Sequence, residues 1–406
     1  MRLVFELWQV CINEWTKLIR RKRLWVALIL AALIVALFAY TTHEDAASAL
    51  ATQSPGAVQQ QIQEEKAQLA QFQAQPQTAN IKQMESGLTS ELQSLQHQYQ
   101  QLQHPGEWQQ TVRQEIQQDK QQLSTPAATP QDRAQQGLVK VDLLQLNYEL
   151  NHGVAPVLPW KTSVYQSLQH FLDIVSSIFL PLLVVVVAAD MVSGETTSGT
   201  IKLLLIRPVS RTRILLGKWL AALFATAVLT LGTCAAMLLA GMAIVGNTGA
   251  RAPQVVGIGY QFVTSQLAAM QGGNSIVAIP QVGHASVLPI WEFVVLEMLL
   301  ITLGMFMMAT LAFFCSVLFK SSMASTAVAI GVVIVGNIAE SLIQKKFMAL
   351  LFTSHLNPAN DWTGQSAQTF HWSLGLGGGL LVMALWTLVA LGLSLWKFQR
   401  QDILNA

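Results

Sequence analysis

The sequence predicts an all-α polytopic membrane protein: six transmembrane helices, an N-terminal amphipathic interfacial helix and an extracytoplasmic helical hairpin insertion. Three observations carry this. Of 406 residues, 52% are hydrophobic and only 11% charged, against roughly 25% charged in a soluble domain. The apolar residues are bunched, and the bunches approach or exceed the roughly 20 residues that a helix needs to cross a bilayer. Between the first two bunches lies a long Gln-rich stretch whose apolar residues recur at helical spacing. The net charge of +2 gives no electrostatic case for nucleic acid as a partner.

Residues 1–23 read as the interfacial helix. Val4, Leu7, Trp8, Cys11, Trp15, Leu18 and Ile19 step by threes and fours, while Arg2, Glu6, Gln9, Asn13, Lys17 and Arg20 take the opposite face. Tryptophans on one face and a basic end suit a helix lying in the headgroup layer. A longer first span protruding from the membrane is the alternative.

The spans are 24–41, 169–189, 214–240, 290–318, 323–343 and 373–396. The first is too long for a signal-peptide core and has no convincing A-x-A cleavage site after it, so it is expected to be retained. Lys and Arg near the span ends set the orientation. With the N-terminus inside, Arg20 to Arg23, Lys202, Arg207, Arg211, Arg213, Lys218, Lys320, Lys397 and Arg400 are cytoplasmic. The short outer loops then hold only Arg251, Lys345 and Lys346. Both termini are expected in the cytoplasm of a multi-pass protein of the bacterial plasma membrane.

The insertion, 42–168, lies on the outer side, lacks cysteine and carries more acidic than basic residues. Ile81, Met84, Leu88, Leu92, Leu95, Tyr99 and Leu102 form a heptad-like seam. "HPGE" at 104–107 breaks that helix, and Trp108, Val112, Ile116 and Leu123 resume it. "STPAATP" at 124–130 breaks it again before a third helix over about 134–150. An antiparallel hairpin is favoured over a disordered polar loop. The second outer loop, 246–289, is Gly-rich and apolar, suited to dipping into the interface, and has no assigned role. Residues 169–406 hold the other five spans, with a cytoplasmic loop at 190–213.

That loop contains the one stretch with a chemical signature. Gly194 and Gly199 have the spacing of a phosphate-binding loop, but Thr200 and Ile201 stand where Lys and Ser/Thr are needed, and Lys202 comes two places late. The preceding apolar run is also too long for a sheet strand. The nucleotide reading fails. A cytoplasmic elbow fits better: Ser198 or Thr200 caps a short helix through about Ile206, with Glu195 near its N-terminus, Pro208 stops it, and Ser210 caps the third span. Such an element can pass force from a soluble partner to two spans.

"SGETTSGTIKLLLIRPVSRTRILLGKWLA", residues 193–221, closely resembles the loop of type 2 ABC exporter permeases. The shared features are Glu195, Gly199-Thr200, the leucines Leu203 to Leu205, Arg207-Pro208, Ser210-Arg211 and Gly217-Lys218. The amphipathic N-terminus and six spans match as well; the long insertion departs from the simplest members. The resemblance implies a permease without its own ATPase site. It holds no cofactor directly, and ATP and Mg are bound by a separate cytosolic ABC ATPase subunit. Glu195, Gly199, Thr200, Lys202, Arg207, Pro208 and Arg211 would form the coupling contact. A second permease chain would complete the assembly, and an unidentified cargo would be exported.

Ionisable groups within hydrocarbon are costly and face a cavity or a partner. Glu297 in the fourth span, with Asn337 and Glu340 in the fifth, are therefore candidates for a translocation path. Asp190 is expected to be a solvated cap, and His284, His355 and His371 to form no metal set. Cys11, Cys234 and Cys315 match neither a metal spacing nor a disulfide framework. The competing function is a non-transporting envelope protein whose outer hairpin docks a receptor or secretion accessory. An intramembrane enzyme has no support, since H-E-x-x-H and G-x-S-x-G are both missing from the sequence.

Overall fold

The computed structural model describes residues 2–20, 22–73, 79–103, 105–200, 210–264 and 276–400. Among the described residues, six helices are long and apolar enough to cross a membrane: Lys22–Gln53, Val164–Thr197, Arg211–Val245, Ile290–Leu318, Ser322–Ile343 and Gly375–Arg400. The second and fourth are central, with 61% and 56% of their most apolar stretch buried, whereas only 11% of the fifth is. The fifth therefore turns Val335, Ile338 and Leu342 outward, where only lipid or another apolar surface can cover them. Gln399 and Arg211 meet at one end of the bundle, through the Arg211 Nη1 bond to the Gln399 carbonyl. We call this the near end, because the first and last helices both reach it.

Helix α1 (Arg2–Arg20) does more than lie on a surface. It packs along the start of α10 (Arg211–Val245), with Leu18 buried and Cys11 and Trp15 set against the core. Gly217 permits the close approach, since a Cβ there would stand 2.5 Å from Val10 Cγ1. Trp8, Ile12 and Ile19 remain exposed.

Helix α2 (Lys22–Gln53) runs beyond the expected span without a break. The insertion then folds as two helical pairs. In the first, α3 (Pro55–Gln73) and α4 (Ala79–Gln103) bring Val58 and Ile62 against Leu92, Leu95 and Tyr99. Part of the predicted seam is thus a real interface, although Met84 is exposed. The side chains of Ile81 and Leu102, like residue 104 of "HPGE", lie outside those described. In the second pair, α5 (Trp108–Ser124) packs on α6 (Pro130–His152), burying Val112 and Ile116. Thr129 and Asp132 close a reciprocal capping box at the start of α6, and Pro130 sits in its first turn.

The loop 246–289 holds antiparallel strands that the sequence reading did not anticipate. Strand β1 (Pro253–Val256) pairs with β4 (Ser286–Pro289), and β2 (Gly259–Thr264) with β3 (Ile276–Gln281). Helix α6 lies across this ribbon, with Gly137 so close to Pro280 that a Cβ would be 2.6 Å from its Cδ. The insertion is thereby fastened to the far end of the bundle.

The second span is interrupted. After α7 (Val164–Ile174) a π-helical turn covers Val175–Phe179, and α8 (Leu180–Ala188) follows. Pro181, in the first turn of α8, has no N–H to continue the ladder, and the extra residue of the wide turn absorbs the mismatch. Helix α9 (Ser193–Thr197) ends the span. The fourth, fifth and sixth spans are α11 (Ile290–Leu318), α12 (Ser322–Ile343) and α13 (Gly375–Arg400).

Candidate functional site

At the near end, four charged side chains close a ring. Lys218 Nζ stands 2.8 Å from Glu14 Oε2 and 2.8 Å from Glu195 Oε2. Lys17 Nζ stands 2.6 Å from Glu14 Oε1 and 3.1 Å from Glu195 Oε1. Each lysine touches both glutamates, so the ring is neutral and every charge in it is paired. Glu14, Glu195 and Lys218 are buried, while Lys17 is half-buried at the rim. Burial alone would lower the Lys17 ammonium, but Glu14 and Glu195 hold it above the ordinary lysine value. The ring ties α1, α9 and α10 together.

A second tie lies one turn earlier. Asp190, expected to be solvated, is buried: its carboxylate accepts a hydrogen bond from Ser322 Oγ and lies 3.1 Å from Arg23 Nη1. The correction has a tertiary cause, since the start of the fifth span closes over the end of the second. Gly194 is required beside it, because a Cβ there would be 2.5 Å from Asp190 Oδ1. The Val192 and Ser193 amides both donate to Ser316 Oγ, at 2.9 and 3.0 Å. Ser325 Oγ donates to the Ala189 carbonyl, and Thr197 Oγ1 to that of Lys320. The elbow 189–197 is therefore stitched to the turn between the fourth and fifth spans as well as to α1 and α10.

What remains open is the tip. Thr197, Ser198, Gly199 and Thr200 are exposed, and Gly199 turns the chain at φ +72°, in the left-handed region that glycine favours. Ser198 ends α9, with its Oγ bonded back to the Gly194 carbonyl, and so does not start a helix as expected. Ser210 does occupy the N-cap position of α10, though its side chain makes no capping bond. Arg211 is half-buried against the end of the sixth span. Lys202, Arg207 and Pro208, with the helix expected through Ile206, lie outside the described residues. Glu14 was missed by the sequence reading. It sits one turn from Lys17 and Leu18, between the two faces of α1, and only the pairing with α10 reveals it.

At the far end, the three candidates for a path converge on one region. Asn337 and Glu340 line a polar cleft of about 150 Å³, together with Asp173 and the π-turn serines Ser176 and Ser177. Glu340 accepts hydrogen bonds from Thr353 Oγ1 and, at 2.9 Å, from Ser354 Oγ. Glu297 stands behind the cleft: Asn357 Nδ2 donates to Asp173 Oδ1 at 3.0 Å and to Glu297 Oε1 at 3.2 Å. Glu297 is 2% exposed, and its Oε2 has no hydrogen-bond partner among the described residues.

His355 is not an idle loop histidine. It is buried, with Nδ1 at 2.7 Å from Asp361 Oδ2 and Nε2 at 2.9 Å from the Ala349 carbonyl, and so anchors the loop that roofs the cleft. Burial would lower its pKa, but the hydrogen bond and charge of Asp361 outweigh burial and raise it. His371 instead stacks edge-on against Phe262. Among the described residues no group of His, Cys, Asp and Glu is arranged to hold a metal ion.

The family described as ABC-2 family transporter protein matches residues 8–403. A relative, the "Uncharacterized protein YhcI" of Bacillus subtilis (strain 168), is 27% identical over 234 residues. That alignment covers 56% of this chain and 66% of YhcI, just under two thirds of its length.

Proposed function

The chain belongs to the ABC-2 transporter family, as a membrane permease subunit, and on that premise we propose that its near-end elbow couples ATP hydrolysis by a separate cytosolic subunit to export of a cargo. ATP and Mg are held by that subunit, and a second permease chain completes the assembly. In this reading the near end is cytoplasmic, in a bacterial plasma membrane, and cargo leaves at the far end.

The observation that carries the proposal is the mounting of the elbow. Its exposed tip, Thr197–Thr200, is built on a segment joined by the ring of Glu14, Lys17, Glu195 and Lys218 to α1 and the third span. Hydrogen bonds from Val192, Ser193 and Thr197 join it to the fourth span and to the turn that leads into the fifth. A push on the tip is thus delivered to several helices at once, which is what a coupling element must do. Glu195 acts here as an internal strut, and Thr200 and Gly199 face the partner. The insertion, fastened through α6 to the β-ribbon, moves with the spans in this reading and is not a free docking arm.

The test uses the chain with its ATPase subunit in proteoliposomes. Thr200→Trp at the tip is expected to abolish ATP-dependent export without lowering the thermal stability of the permease. Glu195→Ala with Arg211→Ala is expected to uncouple export from hydrolysis with insertion intact. Unaltered export in all these variants would refute the coupling role.

A further inference from the structure

We propose that the groove between α6 and the β-ribbon binds a phosphorylated sugar or similar polyol, with Arg133 and Lys140 holding the phosphoryl group. The proposal goes beyond the permease reading and does not depend on it.

The groove has a volume of about 410 Å³ and follows one face of α6. Arg133, Gln136, Gly137 and Lys140 line it, at the i, i+3, i+4 and i+7 positions that share a helical face. The opposite wall is the ribbon. Gln261 on β2 pairs with Ile279 on β3, two residues before Gln281, so both glutamines lie on one side of the ribbon, and both line the groove. The walls are held together where Gly137 meets Pro280, with no room for a Cβ between them. Gln136 Nε2 donates to the Thr125 carbonyl at 2.6 Å, which braces the turn leading into α6.

The charge of the groove is one-sided. Two cations line it, and no carboxylate is found among the described lining residues. Neither Arg133 nor Lys140 has an ion pair or a side-chain hydrogen bond among the described residues. Solvation is the ordinary fate of a surface cation, but partners are plentiful here, since the insertion carries more acidic than basic residues. Asp132, beside Arg133 in sequence, is committed to the capping box with Thr129. Asp142 and Glu149 lie on the far face of α6, about 180–200° around the helix from Lys140. There the acids crowd one another. Burial first, and then Asp142 and one another's charge, raise the carboxyls of Glu115, Asp119 and Glu149. The fold thus gathers its acids on one face of α6 and leaves two cations unpaired on the other, where an anion would be complementary.

The ligand class follows from size and from the groups on the walls. The groove is more than ten times the roughly 30 Å³ that one water takes up in the liquid, so a bare inorganic ion would leave most of it empty. Arg133 and Lys140 stand about 10 Å apart along the helix axis, and their long side chains can converge on one group. A phosphate monoester brings close to two negative charges at pH 7 and three acceptor oxygens, which suits a guanidinium and an ammonium together. Beyond the cations, Gln261 and Gln281 present amides that both donate and accept, the pattern that hydroxyls match. Neither amide side chain is hydrogen-bonded among the described residues. No aromatic ring is found among the described lining residues, so a nucleobase has nothing to stack on.

The experiment is calorimetric titration of the full chain in zwitterionic lipid nanodiscs with glucose 6-phosphate, glucose and inorganic phosphate at constant ionic strength. Glucose 6-phosphate is expected to bind roughly tenfold more tightly than either comparison ligand. Arg133→Gln and Lys140→Gln are each expected to weaken it roughly fivefold. Arg113→Gln, on α5 and outside the groove, is expected to leave it unchanged. Equal binding of glucose 6-phosphate and glucose, or binding of neither, overturns the inference. Inorganic phosphate held as tightly as the sugar phosphate reduces the groove to a free-anion site and overturns it too. So does equal weakening by Arg113→Gln, which assigns the effect to overall charge. A lipid headgroup is the other source of the same chemistry. In nanodiscs carrying phosphatidylglycerol, at salt that screens the bilayer's own charge, loss of glucose 6-phosphate binding makes the lipid the occupant and overturns a soluble ligand. Arg133, Lys140 and Arg113 are exposed, so the variants are expected to fold. If one does not, the three-ligand comparison on the unaltered chain still decides.

Discussion

Lys218 and Glu14, 204 positions apart in the chain, meet at 2.8 Å with each side chain at most 4% exposed. The pair gains its meaning from Glu195, held by the same ammonium at 2.8 Å. Together they convert an amphipathic helix, an elbow and a transmembrane helix into one mechanical unit.

Removing the shared cation should be severe. Lys218→Met leaves Glu14 and Glu195 facing each other with only the rim lysine, Lys17, between them. A cost of about 3–5 kcal/mol is expected, as for other broken buried pairs. Thermal unfolding of the detergent-solubilised chain measures it. The double variant Lys218→Met, Glu14→Gln should recover part of the loss, and no recovery would mean that the lysine acts through packing alone.

Gly217 tests the close approach of α1. A Cβ at that position would meet Val10 Cγ1 at 2.5 Å, so Gly217→Ala should cost about 1–3 kcal/mol by overpacking. Val10→Ala in the same chain should restore most of it. If Gly217→Ala is neutral by itself, α1 does not seat on the third span as described.

His355 gives a pH dependence with a definite sign. Its folded-state pKa is raised, because Asp361 more than offsets the burial of the imidazole. The contribution to stability is therefore complete below the ordinary histidine value of about 6.5 and is lost as pH rises through the higher folded value. Thermal midpoints recorded across that window should fall with pH, and His355→Gln should flatten the profile. An unchanged slope in the variant would assign the effect to another group.

Glu149 acts in the insertion with the opposite chemistry. Burial and the nearby Glu115 push its carboxyl up to about 7, while burial, Asp119 and Asp142 raise Glu115 across the α5–α6 pair. A carboxyl whose folded pKa is raised binds protons more tightly when folded, so stability declines as pH climbs from the ordinary carboxylate value toward 7. The protection of the α5 and α6 amides, taken relative to their intrinsic exchange rates at each pH, should fall over that range. Glu149→Gln should slow exchange above pH 7, and faster exchange in that variant would sink the assignment.

Much of this molecule is legible in the order of its residues. "HPGE" and "STPAATP" mark the ends of α4 and α5 because proline and glycine act on their own backbone. The six spans are legible because crossing a bilayer is a demand on length and apolarity within one continuous segment. Two of the polar path candidates, Asn337 and Glu340, line the same cleft, and Glu297 joins it through Asn357. An ionisable residue inside an apolar run is conspicuous wherever its partner lies.

Other features escape a linear reading for a common reason. Glu14 looks like any helix-surface glutamate until Lys218 arrives, and Asp190 looks solvated until Ser322 and Arg23 cover it. The β-ribbon needs Pro253 opposite Pro289, a pairing that no local pattern announces. His355 acquires its role from Asp361 and from a carbonyl six residues back.

The sequence by itself determined which segments are long and apolar enough to cross a membrane, where proline and glycine end helices of the insertion, and which polar residues are out of place in the spans. Each of those is a property of neighbours along the chain: hydropathy over a window, a missing N–H, a charge in an apolar run. Only the tertiary structure decided which charges neutralise one another, which side chains are buried by another element, and that the elbow is braced on α1 and four spans. Those outcomes depend on distances between residues far apart in sequence, and the desolvation that makes a buried charge need its partner exists only once the helices have packed.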